Sequence, residues 1–252
     1  MPSTLTNNQV KQIVALRQHK GRREQGCFVA EGSRLIDDVL GSALQVELLL
    51  HLPTWQHRLM AHAAQHLVVD ERTMGRISGL STPSEVLAVI RLPQPSPISH
   101  PQGLTLALDA VQDPGNLGTI IRLADWFGIE HVICSPNTAD AFAPKVVQAS
   151  MGAIARVQMH YAPLPDILTS LNIPIYGTFM HGSSIYSASI AMPAVVVMGN
   201  EGNGISPEVE RLTQGRLHIP TLNTSAQGVE SLNVGVATAI VCSELLGKPL
   251  RK

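Results

Sequence analysis

The chain has few cysteines and no long apolar run, and these shortages narrow the classes of protein to which it can belong. Its three cysteines, Cys27, Cys134 and Cys242, are far apart and odd in number, so they predict neither a disulfide framework nor a zinc site. No apolar run approaches the ~20 residues of a membrane-spanning helix, and the first residues lack a secretory signal. With 44% apolar and 15% charged residues, the composition predicts a soluble globular protein of the reducing cytoplasm, without membrane contact.

Common phosphate-binding and metal-binding signatures are also missing. Neither the P-loop pattern Gly-x-x-x-x-Gly-Lys-Ser/Thr nor the dinucleotide pattern Gly-x-Gly-x-x-Gly occurs, so a di- or triphosphate ligand is not indicated. The ten histidines show no metal-ligand spacing such as His-Glu-x-x-His. His57, His62 and His66 are spaced as on a helix without acidic or cysteine partners nearby. We interpret them as a polar helix face and expect no metal.

Positive charge is concentrated near the start of the chain, although the formal net charge is −1. Residues 11–34 carry six cationic side chains against two glutamates, Glu24 and Glu31. A local basic segment on a near-neutral chain suits a surface that contacts a polyanion such as RNA. A solvated helix face explains the same charges, and it is favoured when charge is the sole evidence. The candidate RNA-binding residues are Lys11, Arg17, Lys20, Arg22, Arg23 and Arg34.

A proline-rich stretch divides the chain near residue 100. Residues 92–103 contain four prolines and predict a semi-rigid linker. Before it, residues 1–91 predict a small α/β domain with a helix over Asn8–His19 and a second helix capped by Ser33. The predicted strands of this domain are residues 46–50, 67–69 and 86–90.

After the linker, residues 104–252 alternate between apolar strands and helices. Near-continuous apolar strands separated by helices predict a mostly parallel sheet with both faces covered by helices. The predicted strands are residues 104–108, 131–134, 173–179, 194–198 and 217–219. The predicted helices are residues 117–127, 144–151, 164–171 and 231–246, with a further helix that begins at Pro207 behind a cap at Ser206.

Three turns rich in glycine and asparagine lie in this C-terminal part. They are Asp113-Pro-Gly-Asn-Leu-Gly-Thr-Ile-Ile-Arg122, Gly199-Asn-Glu-Gly-Asn-Gly-Ile-Ser206 and Ser231-Leu-Asn-Val234. The first two follow strands, and ligands of open parallel sheets bind beyond the carboxyl ends of the strands. Glycine allows the backbone to approach a ligand closely. The three turns therefore predict one site assembled from three places, although any one of them alone is equally well explained as a structural turn.

Together with Ile219-Pro220, these turns match three ordered motifs of a known enzyme family. Across residues 104–246 the chain resembles the SpoU (TrmH) class of SPOUT methyltransferases. Residues 5–90, with Phe28-Val-Ala-Glu-Gly-Ser33, look more loosely like the family's ribosomal-protein-L30e-like substrate-binding domain. The resemblance implies an S-adenosylmethionine-dependent RNA 2′-O-ribose methyltransferase. It favours rRNA over tRNA, because the front domain is similar to that of rRNA-modifying members.

The resemblance also implies a site, a topology and an assembly. It implies a trefoil knot near residues 199–233, a homodimer formed through the C-terminal domain, and a methyl donor as the one cofactor. By motif match, the donor would be bound by Gly199, Asn200, Ile219 and Leu232. The catalytic set would be Arg122, Asn116, Glu201, Ser231 and Asn233.

Several of these catalytic candidates also have a purely structural explanation. Arg122 could form a helical ion pair with Asp125, Asn116 and Ser231 could each cap a helix, and Glu201 could be solvated. Arg122 has the strongest chemical argument. A guanidinium stays protonated, so it can hold a phosphate or stabilise a developing alkoxide while water or a carboxylate takes the proton.

Two positions depart from the family pattern. The stretch Thr221–Glu230 is several residues longer than the family's short turn and should border the donor pocket, and Gly235 stands where serine is common. The long loop keeps a second hypothesis open, a non-catalytic RNA-binding protein that retains the fold. A tRNA methyltransferase is a further alternative. An unrelated nucleotide-dependent enzyme is disfavoured by the missing phosphate-binding glycines.

Overall fold

The structure, a computed structural model, describes residues 5–94, 97–98, 101–223 and 231–247. The chain separates into two compact units. The first contains the residues up to Gln94 together with Asp140–Arg156, and the second contains Pro95–Ala139 and the residues from Val157 onward. Part of the predicted linker (residues 95, 96, 99 and 100) and most of the predicted long loop (residues 224–230) lie outside the described residues.

The described residues form nine α-helices and ten β-strands. The helices are α1 Asn7–Ala15, α2 His19–Gln25, α3 Ser33–Leu40, α4 Glu71–Ile77, α5 Pro114–Trp126, α6 Pro144–Ala149, α7 Leu164–Leu171, α8 Pro207–Glu210 and α9 Val234–Gly247. The strands are β1 Cys27–Glu31, β2 Val46–His51, β3 His66–Val68, β4 Val86–Arg91, β5 Leu104–Leu108, β6 His131–Cys134, β7 Gln158–Tyr161, β8 Ile175–Ser184, β9 Ala194–Met198 and β10 Gly215–His218.

The first unit is a small α/β unit around a four-stranded sheet of order β1-β4-β2-β3. Strand β4 is antiparallel to both of its neighbours, and β2 is parallel to β3. The apolar positions of α1, Val10 and Ile13, are buried with Leu50 and Leu87 of the sheet in one core cluster. Burial of this amphipathic face stabilises a helix that would be marginal in isolation.

The helix predicted over Asn8–His19 is wrong in extent, because the chain forms two helices there. The first ends at Ala15, and the second begins at His19. The Arg22 guanidinium donates to the carbonyls of Leu16 and Arg17, at 2.9 Å each. Carbonyls at a helix end have no partner within the helix, so the arginine supplies one and stabilises the break.

Two further predictions about the first unit are wrong, and one of its helices was not predicted. The N-cap of α3 is Gly32, and the Ser33 hydroxyl instead accepts a hydrogen bond from Trp55 Nε1 at 3.0 Å. The three histidines do not share a helix, because His62 lies in a 3₁₀ turn and His66 on β3. Helix α4 is an element that the sequence analysis missed, although Asp70 caps it through a 2.8 Å bond from the Thr73 amide.

The segment Asp140–Arg156 groups with the first unit, whereas the domain prediction placed it with residues 104–252. The ring of Phe142 lies 5.0 Å from that of Phe28, and Arg22 donates to the Asp140 carboxylate. Arg156 also forms a 2.9 Å ion pair with Asp38. These contacts join residues more than one hundred positions apart, so no local pattern predicts them.

The second unit is built on six parallel strands in the order β10-β8-β9-β5-β6-β7. Strands β5 and β9 lie at its centre, and all of their residues are buried. The predicted parallel α/β sheet is therefore confirmed, whereas the trefoil knot stays a prediction. The sequence analysis missed β7, an edge strand on which just one residue is fully buried. It also placed β8 over residues 173–179, but this strand continues to Ser184.

Candidate active site

The three turns identified in the sequence lie at the ends of elements of the second unit. The first begins α5, the second follows β9, and the third precedes α9. Residues of the second and third turns line a cavity of about 810 Å³. Its wall includes all four predicted donor-binding residues, and it also includes Glu201 and Ser231. Those four residues are Gly199, Asn200, Ile219 and Leu232.

A hydrogen-bonded chain joins one side chain from each turn. The Asn116 amide nitrogen donates to Glu201 Oε1 at 2.7 Å. The Asn233 amide nitrogen donates in turn to the Asn116 carbonyl oxygen at 2.9 Å. These residues are separated by 85 and 117 positions in the sequence. The fold therefore brings three of the five predicted catalytic residues into direct contact.

Asn116 is free for this contact because another residue caps its helix. The N-cap of α5 is Asp113, whose carboxylate accepts the Asn116 backbone amide at 2.8 Å. The suggestion that Asn116 could itself be the N-cap is wrong. Since Asp113 satisfies the backbone, the Asn116 side chain binds outside the helix.

Asn233, rather than Ser231, caps α9. The side-chain oxygen of Asn233 accepts hydrogen bonds from the backbone amides of Gly235 and Val236 at 3.0 and 3.2 Å. The helix begins at Val234, so the predicted start at Ser231 is three residues early. Ser231 is exposed and contributes to the cavity wall. The Asn233 side chain thus fixes the helix start with its oxygen and contacts Asn116 with its nitrogen.

Hydrogen bonds from the Asn200 side chain and a close backbone contact at Gly199 hold the second turn in place. The Asn200 carbonyl oxygen accepts the amides of Gly202 and Asn203 at 2.9 and 3.0 Å, and its amide nitrogen donates to the Ala110 carbonyl at 2.7 Å. A Cβ at Gly199 would lie 2.4 Å from the carbonyl carbon of Gly204. Only glycine allows this close approach of the two backbone strands of the turn.

Asp109 is a supporting residue that the sequence analysis did not single out. It is buried directly after β5, and its carboxylate accepts the Ser206 backbone amide at 2.7 Å. Ser206 is the N-cap of α8 and Pro207 its first residue, as predicted, although the Ser206 side chain makes no capping hydrogen bond. A carboxylate that directly follows a buried apolar strand is the signal that could have identified Asp109.

The cavity wall is largely apolar, and its charged residues are acidic. Met198, Leu217 and Val241 are buried side chains of the wall. Glu201 and Glu210 contribute carboxylates. Among the described lining residues there is no lysine or arginine. Such a cavity suits a ligand that carries apolar surface and positive charge, and it is poorly suited to a phosphate-rich ligand.

Arg122 lies on α5 six residues beyond Asn116, and it is exposed. It is not among the described residues that line the cavity. Its side chain is therefore accessible to a large ligand that approaches the helix from solvent.

The six candidate RNA-binding residues fall into two groups. Arg22 is 4% exposed and bonded to Asp140 at 2.6 Å, so it is not accessible to a phosphate. Arg17 donates to the backbone carbonyls of Ile77, at 2.7 Å, and Ser78. These two residues therefore stabilise the first unit. The exposed members are Lys11, Lys20, Arg23 and Arg34.

Other chemistries find little support in the described part of the chain. It contains no cluster of three or more metal-ligating side chains and no helix long and apolar enough to cross a membrane. Burial raises the pKa of the Cys134 and Cys242 thiols to about 12. Neither cysteine therefore supplies a thiolate nucleophile near neutral pH.

Comparison with known proteins places the chain in a family. Residues 103–243 match the SpoU rRNA Methylase family, and residues 7–88 match the MRM3-like substrate binding domain. The chain is 31% identical to the 23S rRNA (guanosine(2553)-2′-O)-methyltransferase RlmP of Bacillus subtilis, over 96% of this chain and 97% of that protein. It is 27% identical to a 23S rRNA (uridine(2479)-2′-O)-methyltransferase of Streptomyces viridochromogenes, over 94% of this chain and 89% of that protein.

Solved structures give the same result. The AdoMet-bound rRNA methyltransferase of Sinorhizobium meliloti superimposes with a TM-score of 0.87 at 30% identity, covering 99% of this chain and 98% of that chain. A TrmH-family putative RNA methyltransferase of Porphyromonas gingivalis has a TM-score of 0.87 at 40% identity, covering 98% and 100%. The fold is thus that of an α/β methyltransferase class. The chain belongs to the SpoU rRNA methylase family, which confirms the resemblance seen in the sequence.

Proposed function

We propose that this protein is an S-adenosylmethionine-dependent rRNA 2′-O-ribose methyltransferase. The observation that carries the proposal is the contact of Asn116, Glu201 and Asn233 beside an apolar cavity without lysine or arginine in its described wall. Relatives over nearly the full chain length support it, since they are named as 23S rRNA 2′-O-methyltransferases. A related structure holds AdoMet.

The residues of the cavity fit this donor. Its apolar wall suits the adenosine part, and the Glu201 carboxylate suits a positive sulfonium. A Cβ at Gly199 would collide with the Gly204 backbone, so glycine at this position allows the tight turn that lines the cavity. We assign donor binding to Gly199, Asn200, Ile219 and Leu232. When bound, the donor supplies an activated methyl group.

The chain's own residues would position the ribose and stabilise charge. Asn116 is fixed at both ends of its amide, by Glu201 and by Asn233, so it presents a preorganised dipole beside the cavity. The exposed Arg122 guanidinium would hold the neighbouring phosphate and stabilise the developing alkoxide. Ser231, on the cavity wall, would contact the ribose. Positioning and preorganised dipoles account for much of the rate in reactions of this kind.

The first unit would bind RNA through its exposed cations, Lys11, Lys20, Arg23 and Arg34. Arg17 and Arg22 are left out of this surface because their guanidinium groups are bonded within the unit. Exposed cations that face a polyanion gain affinity through release of counterions.

We further infer a cytoplasmic homodimer formed through the second unit. Trp126, at the end of α5, is 82% exposed, and Leu232 and Val236 at the start of α9 are also exposed. Helices α5 and α9 pack against each other, so these apolar groups belong to adjacent elements. Exposed apolar groups on adjacent elements are typical of an interface between protein chains. Light scattering by the purified chain tests the dimer.

Isothermal titration with S-adenosylmethionine and with S-adenosylhomocysteine tests the proposed activity. We expect both to bind with micromolar dissociation constants. No binding at millimolar donor would favour the non-catalytic RNA-binding protein instead. Mapping of 2′-O-methyl groups in RNA from a strain that lacks the gene then identifies the substrate. A missing methyl group in tRNA, with rRNA unchanged, would contradict the choice of rRNA.

A further inference from the structure

Strand β8 leaves its pairing with β10 beside the cavity. Arg216 of β10 pairs with Gly177, but the next residue, Leu217, pairs with Ser183. Residues 178–182 therefore form a bulge that has no pairing with β10. Bulges near active sites redirect side chains, and residues Thr178 to His181 of this bulge contribute to the cavity wall.

The ring of Phe179 in this bulge packs closely over the sheet. A Cβ at Gly177 would lie 2.5 Å from Phe179 Cε2 and 3.0 Å from the Cδ1 of Ile205. The ring therefore occupies space that any side chain at position 177 would fill. Phe179 is partly buried against the core cluster of the second unit, and it also lines the cavity.

Arg216 holds the bulge from β10. Its guanidinium carbon lies 3.7 Å from the centroid of the Phe179 ring, which is the geometry of a cation–π contact. Its Nε donates a long hydrogen bond, 3.5 Å, to the carbonyl of His181. Arg216 therefore contacts the bulge at two residues that both line the cavity.

Glu210 holds Arg216 in this orientation through an ion pair with Nη1. It lies at the end of α8 and is itself part of the cavity wall. The two side chains are 48% and 41% exposed. Because so exposed an ion pair adds little to the free energy of folding, stability alone does not explain the arrangement.

We propose that Arg216 is a positioning residue for the methyl donor: with Glu210, it fixes the Phe179 ring as one wall of the donor pocket. A wall that is fixed before binding spares the ligand the cost of ordering it. Arg216 thereby raises donor affinity without touching the reacting atoms. This inference rests on the proposed function, since the ligand concerned is S-adenosylmethionine.

A double-mutant cycle on Arg216 and Phe179 tests the inference. The variants are Arg216→Met, Phe179→Leu, the double variant, and the control Arg211→Met, which removes another exposed arginine nearby in the chain. We expect Arg216→Met to raise the dissociation constant for S-adenosylmethionine by about five- to ten-fold. Methyl transfer to rRNA from the gene-deletion strain at saturating donor should stay within about two-fold of wild type. Arg211→Met should change neither quantity.

The cycle also separates positioning from a merely structural role. In the Phe179→Leu background, Arg216→Met should change the dissociation constant by less than about two-fold, because Arg216 is proposed to act on the donor through the Phe179 ring. A full effect in that background would overturn the inference, as would an unchanged dissociation constant in Arg216→Met. The inference would also be overturned if Arg216→Met lowered the melting temperature of the donor-free protein enough to explain the weaker binding. Failure of the wild-type protein to bind the donor would instead overturn the proposed function.

Discussion

In the first unit, Arg17 and Arg22 bond to other groups of that unit. In the second unit, by contrast, the motif side chains bond to one another beside a cavity. Arg22 joins the end of α1 to Asp140, and Arg17 holds the turn after α4 through two carbonyls. Asn116, Glu201 and Asn233, by contrast, bond to one another. The arginines are close together in the sequence and hold the fold of the first unit, whereas the motif residues are far apart in the sequence and are brought together by the fold.

The difference shows that a cluster of charged residues in the sequence is weak evidence for a binding surface. Charge in a short segment does not reveal which cations are bonded internally, because their partners are distant in the sequence. Three motifs that must each end a strand or begin a helix are constrained by the topology to one edge of the sheet. Order and spacing of motifs therefore predict a site better than local charge does.

The largest expected effect is that of Arg122→Ala on methyl transfer. If the guanidinium stabilises the developing alkoxide, its removal should lower kcat by about 10²- to 10³-fold while the dissociation constant of the donor stays within about two-fold. Single-turnover transfer of a labelled methyl group to rRNA measures the rate, and isothermal titration measures the affinity.

The variant Asp125→Asn is the matched control for Arg122. If Arg122 served just a helical ion pair with Asp125, both variants would have the same small effect. Retained turnover in Arg122→Ala would remove this residue from the catalytic set.

A second prediction contrasts two neighbouring arginines of the first unit. Arg22→Ala leaves the Asp140 carboxylate and two helix-end carbonyls without their partner, so the free energy of unfolding should fall by about 3 kcal/mol. Arg23→Ala removes an exposed side chain and should change it by no more than about 0.5 kcal/mol. Urea denaturation of both variants measures the difference, and equal values would contradict the structural role of Arg22.

Elements buried on both faces were the most predictable from the sequence. The strands at 104–108, 131–134 and 194–198 were predicted with their observed bounds, because burial of both faces leaves a continuous apolar run. Strand β7 has no such run, since it lies at the sheet edge with exposed side chains. Helix starts were less predictable, because each has two residues of the capping type close together. Asp113 rather than Asn116 caps α5, and Asn233 rather than Ser231 caps α9.

Within the site, the motif residues could be predicted but their geometry could not. The sequence pointed to Asn116, Glu201 and Asn233, yet which of these donate to which depends on contacts across 85 and 117 positions. The bulge of β8 left no local signal beyond a strand with glycines at 177 and 182. Its path is set by pairing with β10, which lies farther along the chain.

The smallest expected effect concerns the cations of the first unit that remain exposed. Lys20 is 86% exposed, with just a 3.8 Å ion pair to Glu24, and Arg23 is exposed beside it. If both contact phosphates, Lys20→Ala with Arg23→Ala should flatten the slope of log affinity against log salt by about 1.5. The control Arg72→Ala with Lys145→Ala removes the same charge outside the predicted surface and should leave the slope unchanged. Equal slopes in both double variants would make the pair an ordinary solvated face.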